Sequence, residues 1–122
     1  MNARKLVSVV DDDVSVRESL PDLFRSFGFD VAPFESAEDF LASDSVGRTS
    51  CLVLDVSMPG MSGPELQEAL IGRGHDIPIV FITAHSDDPM IPRLLERGAV
   101  DCLFKPLAED ALLRAVNRAI RE

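Results

Sequence analysis

Cys51-Leu52-Val53-Leu54-Asp55 is the stretch on which the fold turns. Four consecutive apolar residues, ended at once by a carboxylate, read as a strand covered on both faces, as in a parallel sheet. Reading outward, the same design recurs. Leu6-Val7-Ser8-Val9-Val10 is a β-branched run that stops at Asp11-Asp12-Asp13, and Ile77 to Ile82, with Pro78 near its start, leads to Thr83. Val100 to Phe104 leads to Lys105-Pro106, and Phe29 to Phe34, weakened near its end by Pro33, makes a fifth strand.

Helical spacing fills the gaps. Apolar positions 16, 20, 23, 24 and 27 mark a helix closed by Gly28 and carrying an internal Pro21 that removes one backbone bond. Ser36-Ala37-Glu38-Asp39 opens a short helix that buries Phe40 and Leu41. Ser62-Gly63-Pro64-Glu65 has the form of a capping box with Pro in the first turn, ahead of Leu66, Ala69 and Leu70. Asp87 or Asp88 is expected to cap a helix with Pro89 in its first turn, containing Ile91, Leu94 and Leu95 and stopped by Gly98. A second proline, Pro92, must also lie in a first turn, so a late start and a mobile loop from His85 to Ile91 are expected. Leu112, Ala115, Val116, Ala119 and Ile120 line one side of the last helix. Five strands alternating with five helices predict an α/β, doubly wound parallel sheet of order 2-1-3-4-5, flavodoxin-like, with residues 1–122 as one domain.

Composition narrows the function. The 12 Lys+Arg against 21 Asp+Glu leave a net charge of −9, which excludes a free-standing nucleic-acid binder and an anchor on anionic lipid. No apolar stretch approaches the roughly 18 residues that span a bilayer, and Met1 to Lys5 is not the start of a signal peptide. Cys51 and Cys102 lack metal-ligand spacing with each other or with His75 and His85. They are expected to stay unpaired, because the fourth strand separates theirs, and a reducing cytoplasm is the expected compartment.

In such sheets ligands bind at the carboxyl ends of the strands. The proposed order brings Asp11, Asp12, Asp55, Thr83 and Lys105 to one rim. Two carboxylates about 4 Å apart repel by about 4 kcal/mol at an effective dielectric of 20, so three of them call for a cation. Oxygen ligands on an open rim suit Mg²⁺, which in turn suits phosphoryl chemistry with a carboxylate nucleophile. Singly these residues have plainer readings: Asp13 is best read as a helix cap, Ser62 and Glu65 as another, Thr83 as a strand end and Lys105 as a surface cation. Their convergence is what carries the functional reading.

With these residues in view, the chain resembles a response-regulator receiver domain of bacterial two-component systems. The resemblance rests on Val9-Val10-Asp11-Asp12-Asp13, Leu54-Asp55-Val56-Ser57-Met58-Pro59-Gly60-Met61-Ser62-Gly63, Thr83-Ala84 and Lys105-Pro106, in order and across nearly the whole chain. Ser36-Ala37-Glu38-Asp39-Phe40-Leu41 and Gly98-Ala99-Val100-Asp101 further resemble receivers attached to LuxR-type helix-turn-helix output domains.

The resemblance implies roles. Asp55 would accept a phosphoryl group from a sensor histidine kinase. Asp12 and Asp55 would hold Mg²⁺ through carboxylates, Ser57 through its backbone carbonyl and Asp11 through water. Thr83 and Lys105 would contact the phosphoryl group, and the Lys105–Pro106 peptide would be cis. The fourth helix, fifth strand and fifth helix would form a surface for homodimerisation and for control of an output such as transcription. His85 reads as an exposed loop histidine or, with Ser57, as a flank of the path of the hydrolytic water, since the corresponding family positions set phosphoryl lifetime. One departure stands out: family members place an aromatic three residues before the Lys, where this chain has Cys102, so Phe104 or another neighbour would have to substitute. Two other functions remain open on the residues: a receiver that binds partners without phosphorylation, and an aspartyl-phosphate phosphohydrolase. Ser57, two beyond Asp55, lacks the acid/base group the latter needs.

Overall fold

The computed structural model describes residues 4–121, so Met1 to Ala3 and Glu122, the ends of the expected 1–122 domain, lie outside the described residues. Five strands, β1 (Leu6–Val10), β2 (Asp30–Phe34), β3 (Thr49–Asp55), β4 (Ile79–Thr83) and β5 (Asp101–Phe104), form one parallel sheet in the order β2-β1-β3-β4-β5. The helices are α1 (Val14–Ser26), α2 (Ala37–Ala42), α3 (Gly63–Gly72), α4 (Ile91–Glu96) and α5 (Glu109–Arg121). This is the expected doubly wound topology. A short 3-10 helix over Asp44–Gly47, without a signature in the hydrophobic pattern, joins α2 to β3.

Strand periodicity sorts the core into two layers. Val7, Val9, Cys51, Val53, Val80 and Ile82 pack on the side of α1 and α5, against Phe24, Leu112 and Val116. Val10, Leu52, Leu54, Ile79 and Phe81 pack on the other side, against Phe40, Leu66 and Leu94. The reading of β3 as doubly covered holds, since Cys51 through Leu54 are all fully buried. Cys51 and Cys102 are free, buried, and on opposite faces of the sheet. Burial pushes the Cys51 thiol up to about 12; burial, then the Asp101 and Asp88 charges, push the Cys102 thiol up to about 11. Both thiols are therefore inert apolar fillers at neutral pH.

Caps place the helices on the rim. Asp13 caps α1, its carboxylate accepting from the Ser15 N–H at 2.9 Å, and Ser36 caps α2 through the Asp39 N–H at 3.1 Å. Ser62 and Glu65 form a full capping box on α3. Pro21 is buried within an unbroken α1. One expectation is corrected. Neither Asp87 nor Asp88 caps α4, and Pro89 precedes it: the helix begins at Ile91 behind Met90, which makes no side-chain cap. The Asp88 carboxylate instead accepts the Met90 N–H at 2.9 Å, closing a local turn ahead of the helix. Pro92 does fall in the first turn, as its missing N–H requires.

Candidate functional site: an acidic rim with one buried lysine

The rim forms at the carboxyl ends of the neighbouring strands β1, β3, β4 and β5. Asp11, just past β1, is fully buried. Its backbone N–H donates to the Phe34 carbonyl at 3.1 Å, and its Oδ1 accepts from the Asp13 N–H at 2.9 Å. Asp55 closes β3 and is 5% exposed. The following Val56 N–H donates to the Ile82 carbonyl at 2.9 Å, which ties the end of β3 to β4. Asp12 is exposed above them. Carboxylate oxygens of Asp11, Asp12 and Asp55 all lie within 4.8 Å of one another.

Lys105, just past β5, reaches over this group. Its Nζ stands 2.9 Å from Asp11 Oδ2, 3.7 Å from Asp55 Oδ2 and 3.9 Å from Asp13 Oδ2. Its backbone N–H donates to the Thr83 carbonyl at 2.8 Å, and its peptide bond to Pro106 is cis, as the resemblance implied. The ammonium is within hydrogen-bonding distance of Asp11 Oδ2, a buried oxygen with no other donor beside it. One ammonium among four carboxylates leaves the rim strongly negative.

The titration behaviour records this imbalance. Burial pushes the Asp55 carboxyl up to about 7, the hydrogen-bonded and charged Asp11 pushes the same way, and Lys105 and the Ser57 N–H only partly oppose them. Burial by itself would lower Lys105, but the hydrogen bond to Asp11 and the charges of Asp55, Asp11 and Asp13 outweigh it and raise the amine above its ordinary range. The lysine is thus a fixed cation, and the raised Asp55 carboxyl gives up its proton more readily when a second cation is at hand. The donor set fits Mg²⁺: hard carboxylate oxygens from Asp11, Asp12 and Asp55 close together, an open side at Asp12, and one ammonium too few to balance them.

Thr83 is brought to the same rim but faces differently. It is fully buried, and its hydroxyl oxygen accepts from the His85 N–H at 3.0 Å. Among the described residues no hydrogen bond joins its hydroxyl to Asp55 or Lys105. His85 and Ser57 are both exposed, on the two loops that border the site. Cys102 pairs in register with Phe81, whereas Phe104 pairs with Thr83 and is 46% exposed. The aromatic beside Thr83 is therefore Phe104.

Sequence reasoning missed the role of Gly63. A Cβ there would lie 2.3 Å from the Asp55 carbonyl oxygen and 3.0 Å from the Val56 Cα. Only glycine lets α3 start directly against the backbone of Asp55, where the Gly63 N–H bonds the Val56 carbonyl at 3.0 Å. The Gly-Pro pair was legible as a helix start, but the close approach belongs to the fold.

The chain is similar to known proteins in sequence and fold. The family model described as response regulator receiver domain matches residues 7–117. Nodulation protein W of Bradyrhizobium diazoefficiens is 49% identical over 118 residues, which cover 97% of this chain and 52% of that protein. Transcriptional regulatory protein TdiR of Thauera aromatica is 47% identical, covering 93% of this chain and 50% of that protein. The solved structure of response regulator StyR is 51% identical with a TM-score of 0.91, covering 98% of this chain and 60% of that one. The chain spans about half the length of the curated relatives it matches. Topology, rim and family model agree, and the chain belongs to the response-regulator receiver domains of two-component systems.

Proposed function

We propose that this domain is a phosphorylation-dependent switch with Asp55 as phosphoacceptor. The observation that carries the reading is the meeting of Asp55, Asp11 and Asp12 within 4.8 Å under a single lysine. Receiver domains interact with histidine kinases, and such a kinase is the proposed donor. A carboxylate oxygen of Asp55 attacks the phosphorus of a phosphohistidine, the P–N bond breaks, and its electron pair returns to the imidazole. Asp11, Asp12, Asp55 and the Ser57 carbonyl are the proposed holders of Mg²⁺, which when bound neutralises phosphoryl oxygens. Lys105, already within 3.7 Å of Asp55, pairs with a phosphoryl oxygen.

Phosphorylation adds about −1.5 to −2 charge to the rim and so draws in Lys105 and the Thr83 hydroxyl. Moving Thr83 releases the His85 N–H and disturbs the loop before α4, a shift between two populations. Phe104, in register with Thr83, is the proposed follower of that motion in place of Cys102. The surface of α4, β5 and α5 then governs homodimerisation and an output. Relatives with names such as transcriptional regulatory protein TdiR support transcription as that output, in the cytoplasm. Among the described residues no helix is long and apolar enough to cross a membrane. Ser57 and His85 are proposed to flank the water that removes the phosphoryl group. An altered acyl-phosphate half-life in Ser57→Asn and His85→Ala supports this; unchanged decay in both overturns it.

The deciding experiment is incubation with Mg²⁺ and acetyl phosphate, followed by mass spectrometry. One phosphoryl group on Asp55, absent in Asp55→Asn, is the expected result. Multiple turnover of phosphate esters indicates a phosphohydrolase instead. No labelling indicates a partner-binding module that works without phosphorylation.

A further inference from the structure

The loop between β3 and α3, residues 56–62, carries Ser57 beside the acceptor. Its ends are fastened by the Val56 bonds to Ile82 and Gly63 and by the capping box at Ser62. Its middle is reached from another helix: the Met61 N–H donates to Glu38 Oε2 of α2 at 3.1 Å, across 23 residues of sequence. The same carboxylate oxygen fills the space beside Gly60, where a Cβ would lie 2.6 Å from it. Gly60 has φ +72°, so the loop backbone is bent against the carboxylate with no side chain between. Helix α2 is itself held in place, with Ala37 and Phe40 fully buried and Ser36 as its cap. Glu38 is thus an exposed residue on an immobilised support, aimed at a loop amide.

A plainer reading is that Glu38 is an acid in the first turn of α2, favoured by the helix dipole. That accounts for a negative charge but not for a contact that Asp39, equally acidic and one residue on, does not share. We propose that Glu38 is a positioning residue for the cation site: it holds the β3–α3 loop through the Met61 amide, and so fixes the loop that carries Ser57, whose carbonyl is a proposed holder of the cation. This inference rests on the metal-site reading above.

The test compares wild type, Glu38→Ala and Glu38→Gln, with Mg²⁺ titrated by calorimetry and the Met61 amide followed by hydrogen exchange. One exposed charge-assisted bond predicts a loss of about fivefold in Mg²⁺ affinity for Glu38→Ala. Faster exchange at Met61 and a nearly unchanged melting temperature go with it. Glu38→Gln keeps an acceptor oxygen but loses the charge, so recovery of affinity in this variant separates loop positioning from the helix-dipole effect. Acetyl-phosphate labelling of Glu38→Ala is expected to slow at limiting Mg²⁺ and to recover at saturation. Wild-type Mg²⁺ affinity in Glu38→Ala overturns this inference alone, as does equal loss in both variants. A wild-type chain that binds no Mg²⁺ overturns the metal-site reading and this inference with it.

Discussion

The two loops that border the site are built in opposite ways. The β3–α3 loop is fastened to three other elements: β4 through Val56, α2 through Met61, and α3 through Gly63 and the capping box. Among the described residues, the β4–α4 loop hydrogen-bonds only to itself and its ends. The His85 N–H reaches back to the Thr83 hydroxyl at 3.0 Å, the Asp88 N–H to the His85 carbonyl at 3.2 Å, and the Ile91 N–H to the Asp88 carbonyl at 3.2 Å. It enters a six-residue helix with no side-chain cap. The contrast assigns different work to the two halves of the rim. The side that holds the acceptor is rigid, which suits chemistry needing fixed geometry. The side that holds Thr83 is lightly tethered, so a small change in bonding can move it.

The comparison breaks most severely at Gly63. Gly63→Ala forces α3 away from the Asp55 backbone and is expected to cost about 2–3 kcal/mol, the upper part of the usual range of about 1–3 kcal/mol for overpacking. A drop of about 10 °C in melting temperature is the readout, and a loss under 2 °C would show that the close approach is not needed.

Next is the charge imbalance at the acceptor itself. The unfolded chain releases the Asp55 proton near 3.8, whereas the folded site retains it to about 7. Between those values the folded state binds more protons, so this residue lowers stability as pH rises and its full penalty is present above 7. Asp55→Asn removes the penalty. Without divalent cations it should gain about 1–2 kcal/mol at pH 8 and little below pH 4, read from melting temperatures across that interval. A gain independent of pH would refute this assignment.

Hydrogen exchange tests the contrast directly. The amides of residues 85–88 and of Met90 should exchange at least about tenfold faster than the Val56 and Gly63 amides, a difference of about 1.4 kcal/mol in local opening. Equal protection would remove the distinction between the loops. The smallest effect belongs to Asp88. Asp88→Ala loses one local bond to Met90 and should change stability by only about 0.5 kcal/mol, while raising exchange at Met90.

How much of this was legible beforehand follows from the range of the forces. Burial on both faces shows in Cys51 to Leu54 because each residue there is apolar, and the caps Asp13, Ser36 and Ser62 show because they bond within three residues. Asp88 misled the reading because the same carboxylate serves a turn as readily as a cap, and only the chain path chooses between them. The rim residues were found because strand ends in a known order converge, a rule of topology needing no side-chain detail.

The sequence by itself determined the alternation of strands and helices, the sheet order and the carboxylates, threonine and lysine set at the strand ends, because periodicity and strand termini are local facts. The tertiary structure alone decided that Asp11 lies fully buried against Lys105, that Phe104 and not Cys102 stands beside Thr83, and that Glu38 reaches Met61. Each of these depends on desolvation or on contacts between residues distant in the chain, and those quantities exist only once the elements have packed.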